Sequence, residues 1–369
     1  MKYEPGKLGT AEGLALVFIV TFSRIFLSNP ANLFVAQQNL AWFVEVVAGA
    51  SAFAMFSVLN YVMTRTGGDL LQVCQKLLGK RIAWCILVYL IVLFFLNAFL
   101  LLRQFAENTL LTALPRTEFQ VVLLIYTLTS MVIALAGIEG LARATYIIMP
   151  FGILGLVLVL VMLYPFYDVD CAFPLLGNGV FNAFSSGIQA AGVNFAVGIL
   201  AVIAPSLQTP ATIRKAAILG LGLSVGLRTL SVFVFMLVFD IPAGAEKVLP
   251  FFEMARLVYL GLYLQHVESL FILLWVIIGM LAVAINVWCG AYLLARLFNM
   301  PSLRPVIPLA CALVMQMSLV PHDIITVIHL DSALIVTVFN SAIFGIPAIL
   351  LITYFWKRRK EGNRHVAAS

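Results

Sequence analysis

Two arginines fall deep inside long apolar runs. Arg24 lies in Thr21-Phe22-Ser23-Arg24-Ile25-Phe26-Leu27-Ser28-Asn29-Pro30, and Arg228 lies in an otherwise uncharged stretch after Lys215. At the helical rise, Arg24 sits about 16 Å along its run from Gly13, and Arg228 about 18 Å from Ala216. If the runs cross a bilayer, both guanidinium groups approach the midplane. A cation there costs at least about 2.5 to 3.5 kcal/mol on insertion scales, so each requires a partner. No acid reads as equally deep, because Glu45, Glu107 and Glu268 map toward the ends of their runs. An unbalanced pair of arginines suits the carboxylate of a small ligand, with Arg24 the stronger candidate. The alternative is that Arg24 pairs with backbone carbonyls of an unwound helix.

Other polar groups carry less specific chemistry. Arg103 and Glu107 are one helical turn apart and fit an internal ion pair. Glu268 enters its run from the same side and offers a competing bridge to Arg103, a gate over an outer vestibule. His322, Asp323, His329 and Asp331 crowd a segment read as an outer loop, where solvated polarity explains them better than a metal site. Gly220-x-Gly222 lies within an apolar run and follows no strand, so it reads as helix packing. No Walker motif and no nucleophile-base grouping appears, so neither an enzyme nor a self-contained ATP-driven pump is expected, and no cofactor. The five cysteines are scattered without disulfide or zinc spacing.

The elements that hold these residues are apolar helices. Of 369 residues, 63% are hydrophobic and only 10% charged, against roughly 25% charged in a soluble domain. Apolar runs repeatedly reach the ~20 residues a transmembrane helix needs. Spans are expected near 11–29, 41–63, 82–106, 119–138, 143–164, 181–205, 215–239, 265–295, 305–320 and 332–356. With both termini cytoplasmic, sixteen Lys and Arg residues fall on inner segments and four (Arg103, Arg116, Lys247 and Arg256) on outer ones. That bias satisfies the positive-inside rule. The basic tail at 357–369 then anchors at anionic headgroups, and nucleic acid is set aside.

The first and sixth spans carry unusual punctuation. The first ends in Ser28-Asn29-Pro30, and the sixth holds Gly187, Gly192, Asn194 and Gly198 before Pro205. Small, polar and breaker residues leave backbone groups that lipid cannot satisfy, so such stretches face a cavity or other protein. Positions one and six of ten are where a five-plus-five inverted repeat puts its paired discontinuous helices and its binding site. The whole chain therefore reads as one transmembrane domain, with repeats at about 11–164 and 181–356. Pro150 with Gly152, and Gly345 with Pro347, add weaker punctuation in spans five and ten. Candidate ligand contacts are Ser23, Arg24, Ser28, Asn97, Gly192, Asn194 and Gly198.

Together these features resemble the B-subunit family of spore germinant receptors (GerAB-type proteins), within the amino acid, polyamine and organocation transporter superfamily. The residues that carry the resemblance are Glu12-Gly13 and Pro30 around span one, Arg103-x-x-x-Glu107, and Phe173-Pro174-Leu175-Leu176-Gly177-Asn178-Gly179. Pro205, Val267-Glu268-Ser269-Leu270 with Trp275, and Ser318-Leu319-Val320-Pro321-His322-Asp323 continue it. The resemblance implies a LeuT-like fold and a small germinant, often an amino acid, bound between spans one, three, six and eight. It further implies a larger A subunit and a C-subunit lipoprotein as partners in the spore inner membrane. Where many relatives carry Gly-x-Gly at the first break, this chain has Ser23-Arg24-Ile25, which replaces backbone donors with a side-chain cation. An autonomous ion-coupled amino-acid transporter is the competing reading.

Overall fold

A computed structural model describes residues 6–27, 33–34, 36–174, 176–207, 209–258 and 267–367, with side chains at 245, 267, 268, 270 and 361–367 left aside. Seven helices among these residues are long and apolar enough to cross a membrane: Gln38–Thr66, Lys80–Thr112, Gly137–Met162, Val180–Val202, Pro210–Val238, Phe271–Leu297 and Ile324–Lys360. Two shorter apolar helices, Phe119–Leu135 and Val306–Ser318, and the broken first helix complete ten passages. The chain is a multi-pass membrane protein.

In order, the helices are α1 (Thr10–Phe22), α2 (Ala41–Thr66), α3 (Leu70–Leu78), α4 (Lys80–Thr112), α5 (Phe119–Leu135) and α6 (Gly137–Met162). They continue as α7 (Val180–Gln189), α8 (Pro210–Val238), α9 (Pro250–Leu257), α10 (Val267–Leu297), α11 (Val306–Ser318), α12 (Ile324–Leu334) and α13 (Asn340–Ala367). Helix α1 is apolar all round and buried from Ala15 to Phe22, as expected of a helix with no lipid-facing side. It packs on α8, α6 and α10, while α4 packs along α10. At 33 and 31 residues, α4 and α10 exceed the ~20 residues needed to span hydrocarbon, so both reach beyond it or cross it tilted.

Helices α3 and α9 are the two amphipathic elements between spans. In α3, Leu70, Val73, Cys74 and Leu77 are buried on one face, and Asp69 caps the first turn by accepting from Gln72 N at 2.8 Å. Helix α9 buries Phe251, Met254 and Ala255. Each follows the second passage of its half, on opposite faces of the bundle, as two repeats of inverted topology require. The face carrying α3 and the Lys357–Lys360 run is the basic face of the bundle.

Three passages are irregular. After α1 the chain tightens into a 3-10 turn at Ser23–Phe26 and becomes extended at Leu27. After α7 it runs as 3-10 helix from Ala190 to Gly198, with Asn194 outside helical geometry at φ −92°, ψ 18°. Between α12 and α13 it widens into a π segment, Ile335–Phe339. The first two match the breaks expected at spans one and six, although Ser28 and Pro30 lie outside the described residues. The third was not expected. Conversely, the helices continue through Pro150 and Pro347, as membrane helices tolerate proline within a span. Those prolines mark no break. Span five also starts earlier than expected, at Gly137, whose φ of +77° allows the tight turn from α5.

Candidate functional site

The break after α1 presents one side chain and one backbone carbonyl in different directions. Arg24, 4% exposed, turns toward α4 and α12. Its Nη1 donates to both oxygens of Asp331 at 2.8 and 2.6 Å, and its Nη2 donates to Asn97 Oδ1 at 2.6 Å. Asn97 Nδ2 donates to Asn286 Oδ1 of α10 at 2.8 Å, and Gln104 Nε2 donates to Asp331 Oδ2 at 3.2 Å. This network ties spans one, three, eight and ten through buried side chains.

The Thr21 carbonyl faces the other way and accepts from Arg228 Nη1 at 3.4 Å. The same nitrogen donates to Asn194 Oδ1 at 3.2 Å, and the guanidinium forms a buried ion pair with Glu45 of α2. At this end of the helix the Thr21 carbonyl still accepts a backbone N–H, and its second lone pair is left to the cation. Arg228 thus stitches the breaks of spans one and six to spans two and seven.

A third pair lies nearer the opposite face. Arg103 and Glu107 approach to 2.8 Å, Arg103 Nη1 donates to the Ser318 carbonyl at 3.1 Å, and its guanidinium lies 4.1 Å over the Phe119 ring. Glu107 lies beside the Ile324 backbone at the start of α12. The i,i+4 pairing is therefore formed, and it reaches the ends of spans nine and ten. The Glu268 side chain lies outside the described residues.

Aromatic layers close the region on both sides. Toward the opposite face, Phe26 lies 5.9 Å from Phe251, 5.3 Å from Phe271 and 6.4 Å from Trp275. Toward the basic face, Phe195 lies 4.9 Å from Phe94 and 5.2 Å from Phe339. Beneath them is an apolar cavity of about 50 Å³ lined by Phe56, Leu90, Phe94, Phe195, Gly198 and Pro347, among others.

The expected contacts thus divide among several places. Arg24 and Asn97 share one network, and Asn194 shares the other with Arg228. Gly198 lines the apolar cavity, and Gly192 packs its Cα against the Ile335 carbonyl. Ser23 turns back to the Val20 carbonyl at 2.8 Å. The expectation of two unbalanced arginines is corrected: Asp331 and Glu45 neutralise them. Asp331 is not in a solvated loop, because Asp323 caps α12 by accepting from Thr326 N at 2.7 Å and starts the helix eight residues before Asp331. Gln104 and Asn286 escape a reading confined to charges. Their signal is an amide within a long apolar run, the same one that marks Asn97.

Ten passages with discontinuous first and sixth helices define the LeuT class of transporter folds. The chain superposes on Mhp1, a nucleobase-cation-symport-1 family transporter in a closed conformation with bromovinylhydantoin bound. The TM-score is 0.71 at 14% identity, over 97% of this chain and 81% of that one. It also superposes on MhsT in complex with L-phenylalanine, with TM-score 0.64 at 11% identity, over 96% and 99% of the two chains. The family follows from sequence. Residues 7–327 match the family model of spore germination proteins, the spore permease family, and the chain belongs to that family. Among its relatives in Bacillus subtilis (strain 168), Spore germination protein A2 is 22% identical over 97% of this chain and 98% of its own length. Spore germination protein KB is 24% identical over 80% of each. Family and fold are those of a permease rather than an enzyme.

Proposed function

We propose that the chain is the B subunit of a germinant receptor, which binds a small carboxylate, such as an amino acid, beside the break of span one. The observation that carries this reading is the buried Arg24 network joining spans one, three, eight and ten. Buried ion pairs seldom improve stability over apolar packing, so a charged network at a helix break points to recognition. The ligand carboxylate competes with Asp331 for the Arg24 guanidinium. Asp331, still held by Gln104, then faces the ligand and suits an ammonium group. This exchange uncouples span ten from span one and supplies the conformational signal. The family's A subunit and C-subunit lipoprotein are the partners that receive it, in the spore inner membrane. The excess of Lys and Arg on one set of segments supports cytoplasmic termini.

The test is a spore carrying Arg24→Gln in this chain, with its abundance in the membrane measured in parallel. Loss of the germinant response at normal abundance is expected, and an unchanged response at unchanged ligand concentration overturns the assignment of Arg24. The second reading, an autonomous ion-coupled transporter, draws on the complete transporter fold with both breaks in place. Accumulation of an amino acid by liposomes holding this chain alone would favour it over the receptor.

A further inference from the structure

Away from the buried networks, α2 and α8 part toward the basic face. The crevice between them holds about 600 Å³. Its lining is graded along the helices. Phe53, Phe56 and Ala217 form the deep part, Ser57 and Asn60 the middle, and Tyr61, Thr64, Arg65 and Arg214 the rim. Phe53 to Arg65 spans twelve residues of α2, or about 18 Å of helix. That exceeds the ~15 Å of one leaflet in a ~30 Å hydrocarbon core, so the rim reaches the headgroup region.

The rim is cationic and has no counter-charge of its own. Among the described residues, neither Arg65 nor Arg214 forms an ion pair, although Arg65 lies 5.6 Å over the Tyr61 ring. The nearby acid Asp69 is already taken by Arg296. Arg214 sits in the second turn of α8, whose helix dipole adds positive potential at that end. Two exposed guanidinium groups above an apolar slot match a phosphodiester above an acyl chain, with Asn60 and Thr64 at the depth of the glycerol and ester oxygens.

We propose that this crevice is a binding site for one anionic phospholipid, its phosphate held between Arg65 and Arg214 and one acyl chain lying along Phe53 and Phe56. A lipid seated there lies against the outside of α2, the helix whose Glu45 holds Arg228 at the breaks. Occupancy therefore bears on a helix that the buried network uses.

Native mass spectrometry of the full-length chain tests this, with dioleoyl-phosphatidylglycerol and dioleoyl-phosphatidylcholine as the two probes. The wild type should retain one phosphatidylglycerol after the phosphatidylcholine is lost. The Arg65→Gln, Arg214→Gln double variant should weaken that retention by about tenfold or more, the scale of two interfacial cations. Arg65→Lys, Arg214→Lys should retain most of it. Lys215→Gln, on α8 but outside the crevice, should leave it unchanged. Ser57→Trp, whose indole fills the slot while both charges remain, should lose it. Equal retention of the two lipids, or equal loss in Lys215→Gln, overturns the proposal in favour of diffuse surface charge. Full retention in Ser57→Trp overturns it too.

Discussion

At the scale of single residues, the decisive feature is that each buried cation has an acid. Replacing Asp331 with Asn leaves Arg24 buried beside neutral amides, and breaking a buried pair in this way costs on the order of 3–5 kcal/mol. Thermal unfolding of the purified chain should show that loss for Asp331→Asn. A smaller loss is expected for the Arg24→Gln, Asp331→Asn double variant, where no unpaired charge remains. Additive losses in the double variant would mean that the two groups do not act as a pair. The arginines were legible in the sequence because a charge in an apolar run stands out. Their partners were not, because Glu45 and Asp331 lie near run ends, where hydropathy alone places them in the interface. Asp323 shows what moves that boundary. Hydrogen bonds from Thr326 hold its carboxylate below its usual pKa, so its contribution is present above the unfolded value and is lost as pH falls through the lower folded one. Protection of the Thr326 amide, taken relative to its intrinsic exchange rate at each pH, should therefore be high at neutral pH and fall in acid, below the ordinary aspartate range. An Asp323→Asn chain should show no such acid-dependent step.

At the scale of elements, the 3-10 break of span six packs on the π segment and on α1. A Cβ on Gly192 would lie 2.2 Å from the Ile335 carbonyl oxygen, whereas one on Gly198 meets nothing within 4 Å. Gly192→Ala must therefore push the break of span six away from the π segment, at a cost of about 1–3 kcal/mol typical of overpacking. Gly198→Ala should be neutral by comparison. The paired unfolding temperatures check this, and equal values would show that the π segment yields freely. Both breaks were readable from small and polar residues where lipid tolerates none. The π segment was not, because Ile335-Val336-Thr337-Val338-Phe339 has the composition of any membrane helix, and its widened turn arises from packing against the sixth passage. Amphipathic α3 was hidden for a different reason: nine residues between two spans are too short to register in a window scaled to the bilayer.

At the scale of the whole molecule, the apolar pattern defined ten passages and their pairing as two halves, but not which way the pathway is shut. That depends on rings brought together from distant segments, α9 among them, and no local pattern records it. Phe251 of α9 rests on both Phe26 at the first break and Phe271 of α10, at 5.9 and 4.6 Å. Removing it takes away the contact between an interfacial helix and the end of the broken one, while Phe94 and Phe195 still seal the basic side. Ser23 is fully buried between the two layers, so a cysteine there reports which layer has opened. In a chain with its five native cysteines replaced, Ser23→Cys should resist a membrane-impermeant maleimide. Adding Phe251→Ala should make it react from the face opposite the basic one, and adding Phe195→Ala should make it react from the basic face. If Phe251→Ala leaves labelling unchanged, the aromatic layer is packing rather than a gate, and the opposite face is closed by the Arg103 and Glu107 pair that joins spans three, nine and ten.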